Sequence, residues 1–235
     1  MEGDGDFRSD EIKALRDEAD LIITNPPFSL FREFLVWLIE GNKQFSMIGN
    51  MNAITYKEVF PLIKDDKIWL GCGKKTGGNS MWFEVPPTAP VNEHEIIKDG
   101  VRLIPVTSKW FTNIEHGRRH EPLELMNMAD NLKFNKGIIK EPNSYQKYDN
   151  YDAIEIPKTN GIPSDYDGVM GVPISFLDKY CPEQFEILDA NDFRCNDSVR
   201  DKPHGLIKDK DGMLNGKPTY ARFLIKHKNP SAQGN

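Results

Sequence analysis

Leu21-Ile22-Ile23-Thr24-Asn25-Pro26-Pro27-Phe28 is the stretch on which the fold turns. Four apolar or β-branched residues run into an amide, two prolines and an aromatic ring. Leu21 to Thr24 has the composition of a buried strand in a parallel sheet. Neither Pro26 nor Pro27 can extend a ladder, because proline lacks an N–H and has a fixed φ. Asn25 and Pro26 each precede a proline, a position that disfavours the right-handed helical region. The chain is therefore held extended until Phe28, where a helix can begin. The corner displays an amide side chain, a bare backbone carbonyl and a ring at the carboxyl end of a strand. In open α/β sheets ligands bind at that edge.

The trio suits one kind of group. The Asn25 side-chain carbonyl and the Pro26 carbonyl are both acceptors, and two convergent acceptors fit an –NH₂ on a planar ring. The Phe28 ring can stack on such a ring. An exocyclic amine is a poor nucleophile because its lone pair is conjugated. Paired acceptors draw it toward tetrahedral geometry and stabilise the positive charge that grows as it takes a methyl group from a sulfonium donor. No general base is needed before the attack. Two apolar residues, a spacer, then Asn25-Pro26-Pro27-Phe28 resemble the short signature of N6-adenine and related amino-methyltransferases.

Working outward, Ser9 to Ala19 reads as a helix capped by Ser9, with Ile12, Leu15, Arg16 and Ala19 on one face. Before it, Asp6-Phe7 has two readings: a strand end whose carboxylate meets a ligand amine, or a solvated acidic tail. Gly3 and Gly5 follow no strand and make no nucleotide-binding fingerprint. Ser29 to Glu40 is amphipathic, with Phe31, Phe34, Leu35, Leu38 and Ile39 on one stripe and Gly41 as C-cap. A strand over Phe45 to Gly49 follows, ending near Asn50 and Asn52. Next come a helix over Thr55 to Ile63, with Pro61 late in it, and strands over Lys67 to Gly71 and Ser80 to Val85. The glycine-rich loop joining those strands lacks P-loop spacing; its Lys74 and Lys75 are candidate phosphate contacts.

Strand, helix, strand, helix, strand, strand predicts an α/β fold: the C-terminal half of a Rossmann-like doubly wound sheet that ends in a hairpin. Pro86, Pro87 and Pro90 mark a boundary. Residues 1–90 then form a partial catalytic core, and 91–235 a second, irregular α+β region. There, strands are expected over Val101 to Val106, Trp110 to Ile114, Tyr151 to Ile156, Phe185 to Leu188 and Tyr220 to Lys226. Short helices are expected over Leu123 to Met128 and Ser175 to Tyr180. His116 and His120 have no third ligand at useful spacing, so no metal is expected.

The 235 residues are 38% hydrophobic and 28% charged, enough for a core, with a formal net charge of −6. A nucleic-acid site on so acidic a chain must be a local patch. Three scattered cysteines without zinc spacing suit free thiols in a reducing cytoplasm. No membrane-spanning run or signal peptide is visible, so no membrane partner is expected.

Five segments carry a wider resemblance. Asp4-Gly5-Asp6-Phe7-Arg8-Ser9-Asp10-Glu11, Thr24-Asn25-Pro26-Pro27-Phe28-Ser29-Leu30-Phe31, Trp110-Phe111-Thr112-Asn113, Tyr151-Asp152-Ala153-Ile154-Glu155 and Asp165-Tyr166-Asp167-Gly168-Val169-Met170-Gly171-Val172-Pro173 resemble the EcoRI-type adenine-specific DNA methyltransferases. The resemblance implies methyl transfer from S-adenosyl-L-methionine to N6 of an adenine flipped out of duplex DNA, in a restriction-modification setting. It puts Asn25, Pro26, Pro27 and Phe28 around the target base, and Asp6 with Phe7 near the cofactor adenine. The region after Val101 would recognise DNA, with Arg118, Arg119 and Arg194 as candidate contacts.

One departure matters: the family's glycine-containing cofactor loop lies upstream of everything seen here. The expectation is that a missing N-terminal segment or a second chain completes the cofactor site, and that this polypeptide alone binds the cofactor weakly or not at all. The alternatives are an RNA or protein N-methyltransferase built on the same corner, or a non-catalytic DNA-binding remnant.

Overall fold

The structure is a computed structural model that describes residues 5–71, 81–91, 94–136, 144–188, 206–207 and 212–230. The chain divides into two units, Met1–His116 and Gly117–Asn235.

In the first unit, α1 (Asp10–Glu18) starts where Ser9 Oγ accepts from the Ile12 N–H, and Asp10 and Glu11 in its first turn suit the helix dipole. β1 (Leu21–Thr24) follows, then the proline corner. Pro27 sits at φ −55°, ψ 126°, its φ fixed by the ring and the chain still extended, before a 3₁₀ turn over Phe28–Leu30. α2 (Phe31–Glu40) ends at Gly41 and buries Phe31, Leu35, Trp37 and Leu38. β2 (Gln44–Asn50) returns parallel to β1, with Thr24 opposite Met47. Gly49 of β2 lies under Phe31, where a Cβ would come within 2.1 Å of the ring.

Beyond β2 the expected single helix is two short pieces. A 3₁₀ turn covers Met51–Thr55, and α3 (Phe60–Lys64) carries Pro61 in its first turn. Proline is tolerated there because that N–H has no helical acceptor to meet, so Pro61 starts the helix instead of ending it.

β3 (Trp69–Leu70) and β4 (Met81–Glu84) do not form the expected hairpin. β3 pairs antiparallel with β7 (Ser108–Thr112), which also pairs antiparallel with β2, so the main sheet runs β1-β2-β7-β3. β4 joins β5 (Ile96–Lys98) and β6 (Val101–Val106) in a separate antiparallel sheet of order β4-β6-β5. Arg102 holds that second sheet's long connection. Its guanidinium donates to the carbonyls of Pro86, Pro87, Ala89 and Pro90 and pairs with Glu95. With β7 between β2 and β3, the first unit extends past Pro90 to His116.

β1 departs from its expected burial. Among the described residues it is the terminal strand of its sheet, and Leu21 and Ile23 are 44% and 66% exposed. A strand paired on one side only, with one face uncovered, cannot bury both sets of side chains.

The second unit is built on a mixed sheet. β8 (Ile154–Glu155) pairs parallel with β9 (Met170–Pro173), which pairs antiparallel with β14 (Arg222–His227). β14 also pairs with β10 (Phe185–Ile187) and β11 (Leu206–Ile207). A small hairpin joins β12 (Met213–Leu214) to β13 (Lys217–Pro218). Phe176, Phe185 and Phe223 are fully buried in this unit.

The helix expected over Leu123 to Met128 is absent. Gln184 instead brackets Leu123, donating to its carbonyl and accepting from its N–H. The helix, α4 (Met128–Phe134), starts later because Asn127 Oδ1 accepts from the Asp130 N–H and fixes the cap. Ser175 to Tyr180 becomes a 3₁₀ turn over Ile174–Lys179.

Within that sheet, the buried Glu155 of β8 receives Arg222 Nε and Nη2 at 3.1 and 2.8 Å, and also the Tyr148 hydroxyl. Burial and the Glu155 charge push the Tyr148 hydroxyl pKa well above its ordinary value.

Candidate active site

The corner after β1 is presented to solvent. Asn25 is exposed, and its side chain makes no hydrogen bond among the described residues. Pro26 is buried, which anchors the backbone behind it, while Pro27 is exposed. The Pro27 carbonyl accepts from Leu30 N–H at 2.9 Å and closes the turn. Phe28 is 48% exposed, although the next aromatic, Phe31, is buried edge-on to Phe111 at 5.1 Å. A ring left open beside an unengaged amide can receive a planar group on its face.

The carboxyl end of β2 borders this corner on the same sheet edge. Its turn is tightly made. Asn50 Oδ1 accepts from the Asn52 N–H at 2.8 Å, and Asn50 Nδ2 donates to Thr107 Oγ1 at 3.3 Å. Thr55 Oγ1 donates to the Asn52 carbonyl at 2.8 Å, and the Met51 N–H donates to the Thr107 carbonyl at 2.6 Å. Tyr56, just beyond, has the Arg32 guanidinium over its ring at 4.8 Å. Sequence reading missed that pair, since 24 positions separate a loop tyrosine from a helix arginine and no local spacing announces it.

Asp6 and Phe7 lie in the same unit. The Asp6 carboxylate accepts from Arg8 Nη2 at 2.7 Å, Nε at 3.0 Å and the backbone N–H at 2.8 Å. Those bonds hold its pKa down to about 2. Phe7 is buried against Phe34 and Trp37, with centroids at 5.1 and 5.8 Å. A surface cleft of about 430 Å³ is lined by Phe7, Arg8, Arg32, Val36 and Trp37 among others.

The candidate DNA contacts divide. Lys74, Lys75 and Arg194 lie outside the described residues. In the second unit, Arg118 is exposed on a 3₁₀ turn over Gly117–His120, whereas Arg119 is 7% exposed and has little surface to offer a phosphate. His120 Nδ1 meets Glu183 at 2.6 Å, and His116 Nε2 meets the Leu70 carbonyl at 3.1 Å. Among the described residues no group of three His, Cys, Asp or Glu side chains is placed to hold a metal, and no helix is long and apolar enough to cross a membrane.

Comparison with known proteins points the same way as the corner. The family described as "Adenine-specific methyltransferase EcoRI" matches residues 1–228. The chain is 45% identical over 229 residues to the Type II methyltransferase M.EcoRI of Escherichia coli, a match covering 96% of this chain and 63% of that protein. It is 36% identical over 234 residues to the Type II methyltransferase M.MgeORF184P of Mycoplasma genitalium, covering 96% of this chain and 70% of that protein. It is 34% identical over 241 residues to the Type II methyltransferase M.MpnI of Mycoplasma pneumoniae, covering 97% and 70%. No solved structure matches.

Proposed function

The chain belongs to this family of adenine-specific methyltransferases, and we propose on that premise that it takes part in methylating N6 of an adenine flipped out of duplex DNA, as the modification half of a restriction-modification pair. The observation that carries the reading is the unengaged Asn25 amide, exposed at the carboxyl end of β1 beside the half-open Phe28 ring. Asn25 Oδ1 and the Pro26 carbonyl accept from the two N6 hydrogens, and Phe28 stacks on the base. Pro27 keeps the two acceptors convergent by denying the backbone other conformations.

S-adenosyl-L-methionine supplies an electrophilic methyl group on a sulfonium. As N6 took the methyl group, the carbon–sulfur bond would break and a neutral thioether would leave; the positive charge would pass to nitrogen, where the Asn25 and Pro26 oxygens would stabilise it until a proton left to water. Asp6 fits the amine end of the cofactor adenine as an ionised acceptor, provided that the exposed Arg8 swings away; Phe7 forms a wall of the adjacent cleft.

The main sheet supports a finer reading of the fold as the second half of a doubly wound methyltransferase sheet. β1, α2 and β2 form a parallel crossover unit, and the corner lies at its carboxyl edge. Residues after Val101, with Arg118 at the surface and Arg194 as a further candidate, are assigned to DNA recognition; Lys74 and Lys75 are assigned to the phosphate backbone.

The test is methyl transfer from labelled cofactor to duplex DNA, RNA and protein by the complete gene product. Duplex DNA should accept label as N6-methyladenine and the other two should not. Asn25→Ala should lower turnover about 10²- to 10³-fold, the scale for losing one preorganised hydrogen-bond partner, with DNA affinity largely kept. Unchanged turnover would remove Asn25 from the mechanism.

A further inference from the structure

Two acceptors hold an amine, but they do not hold the ring that carries it. A base pinned only through N6 can rock in its plane, and the developing N6 lone pair then loses its aim. A hydrogen-bond donor facing the ring nitrogen next to the amine would stop that motion.

The turn after β2 offers one. Thr24 pairs with Met47, so β1 and β2 run side by side toward the same edge, and the chain passes from Asn50 into the turn that carries Asn52. Three polar side chains stand there. Asn50 is bound to Asn52 N–H and Thr107, and Thr55 is bound to the Asn52 carbonyl. Asn52 is exposed, its backbone is fixed by those two bonds, and its own amide has no hydrogen bond among the described residues. The Arg32 guanidinium covers one face of the Tyr56 ring, and the Phe28 ring is half-exposed at the neighbouring strand end.

We propose that Asn52 Nδ2 donates a hydrogen bond to N1 of the target adenine, setting the in-plane orientation of the base while Asn25 and Pro26 hold its amine. This assignment rests on the methyl-transfer reading above. N1 is an acceptor on the Watson–Crick edge that a flipped base exposes to its pocket. Asn52 thus binds the substrate without taking part in the bond that forms.

The experiment pairs an atom with a residue. Single-turnover methylation is measured with the complete protein on duplex DNA whose target is adenine or 1-deazaadenine, in which carbon replaces N1. The unaltered protein should lose about tenfold on the deaza substrate, the scale of one net hydrogen bond. Asn52→Ala should lose about as much on adenine and little more on 1-deazaadenine. Asn52→Asp keeps the shape, removes the donor and should behave alike. Both variants within twofold of the unaltered protein on adenine, or a full deaza penalty persisting in both, overturns the proposal. No methyl transfer by the unaltered protein sinks the parent reading instead, and Asn52's role with it.

Discussion

Gly49→Ala is the most searching test of how the corner is supported. A Cβ at Gly49 would sit 2.1 Å from Phe31 Cε2 and 2.8 Å from Cδ2 and Cζ. Ordinary contact begins near 3.4 Å, so the ring must retreat by about 1 Å in a close-packed interior. It has nowhere to go, because Phe31 is 2% exposed and lies edge-on against Phe111 at 5.1 Å. Overpacking of this kind costs about 1–3 kcal/mol, while the lower unfolded-state entropy of alanine returns about 0.4–1 kcal/mol. The net loss expected is about 1–2 kcal/mol. Phe31 also opens α2, three positions after Phe28, so its retreat drags the corner. A misplacement of about 1 Å can lower turnover by about 10²-fold. Urea unfolding followed by tryptophan fluorescence gives the first quantity, and methyl transfer the second. Adding Phe31→Leu to the variant should recover much of both losses. A Gly49→Ala protein that unfolds at the same urea concentration with the same turnover would refute the packing argument.

Two further outcomes follow from the second unit. Glu155→Ala leaves the Arg222 guanidinium and the Tyr148 hydroxyl facing an empty buried position. Thermal unfolding should register a loss of about 3–5 kcal/mol, with a smaller loss for Glu155→Gln; an unchanged midpoint would show the network to be idle. His227 is buried, its Nε2–H donates to the Pro163 carbonyl at 2.8 Å, and burial holds its pKa below the ordinary value. The folded state therefore resists protonation. The stability His227 contributes is complete above the unfolded pKa of about 6.5 and is lost as pH falls through the folded one. A pH series of unfolding midpoints should slope downward below about pH 6.5, and His227→Gln should flatten it; an equal slope in both proteins counts against the assignment.

What could be read without coordinates was local. The proline pair dictated an extended corner whatever surrounded it, and the Ser9 cap and the Phe31 stripe announced α1 and α2. Pairing was not legible, because strand partners are chosen by long-range packing. Lys67 to Gly71 and Ser80 to Val85 look like hairpin neighbours in sequence, yet β7 arrives from about forty residues downstream of β3 to take the first of them. Pro61 was ambiguous, since the residue that ends a helix in its interior begins one in its first turn. At the candidate site, the amide, carbonyl and ring were visible as a tetrapeptide. That Arg8 closes on Asp6, or that Arg32 lies over Tyr56, depends on side-chain reach that no periodicity encodes.

The bare flank of β1 gives the corner an unusual dependence. Asn25 stands at the tip of a four-residue strand laced to one neighbour, with Leu21 and Ile23 still in water. Any polypeptide that zips onto that rim would shelter two greasy side chains and stiffen the tip in a single step. Pairing at that rim and ordering of the Asn25 amide would then be thermodynamically coupled, each drawing the other forward by mass action.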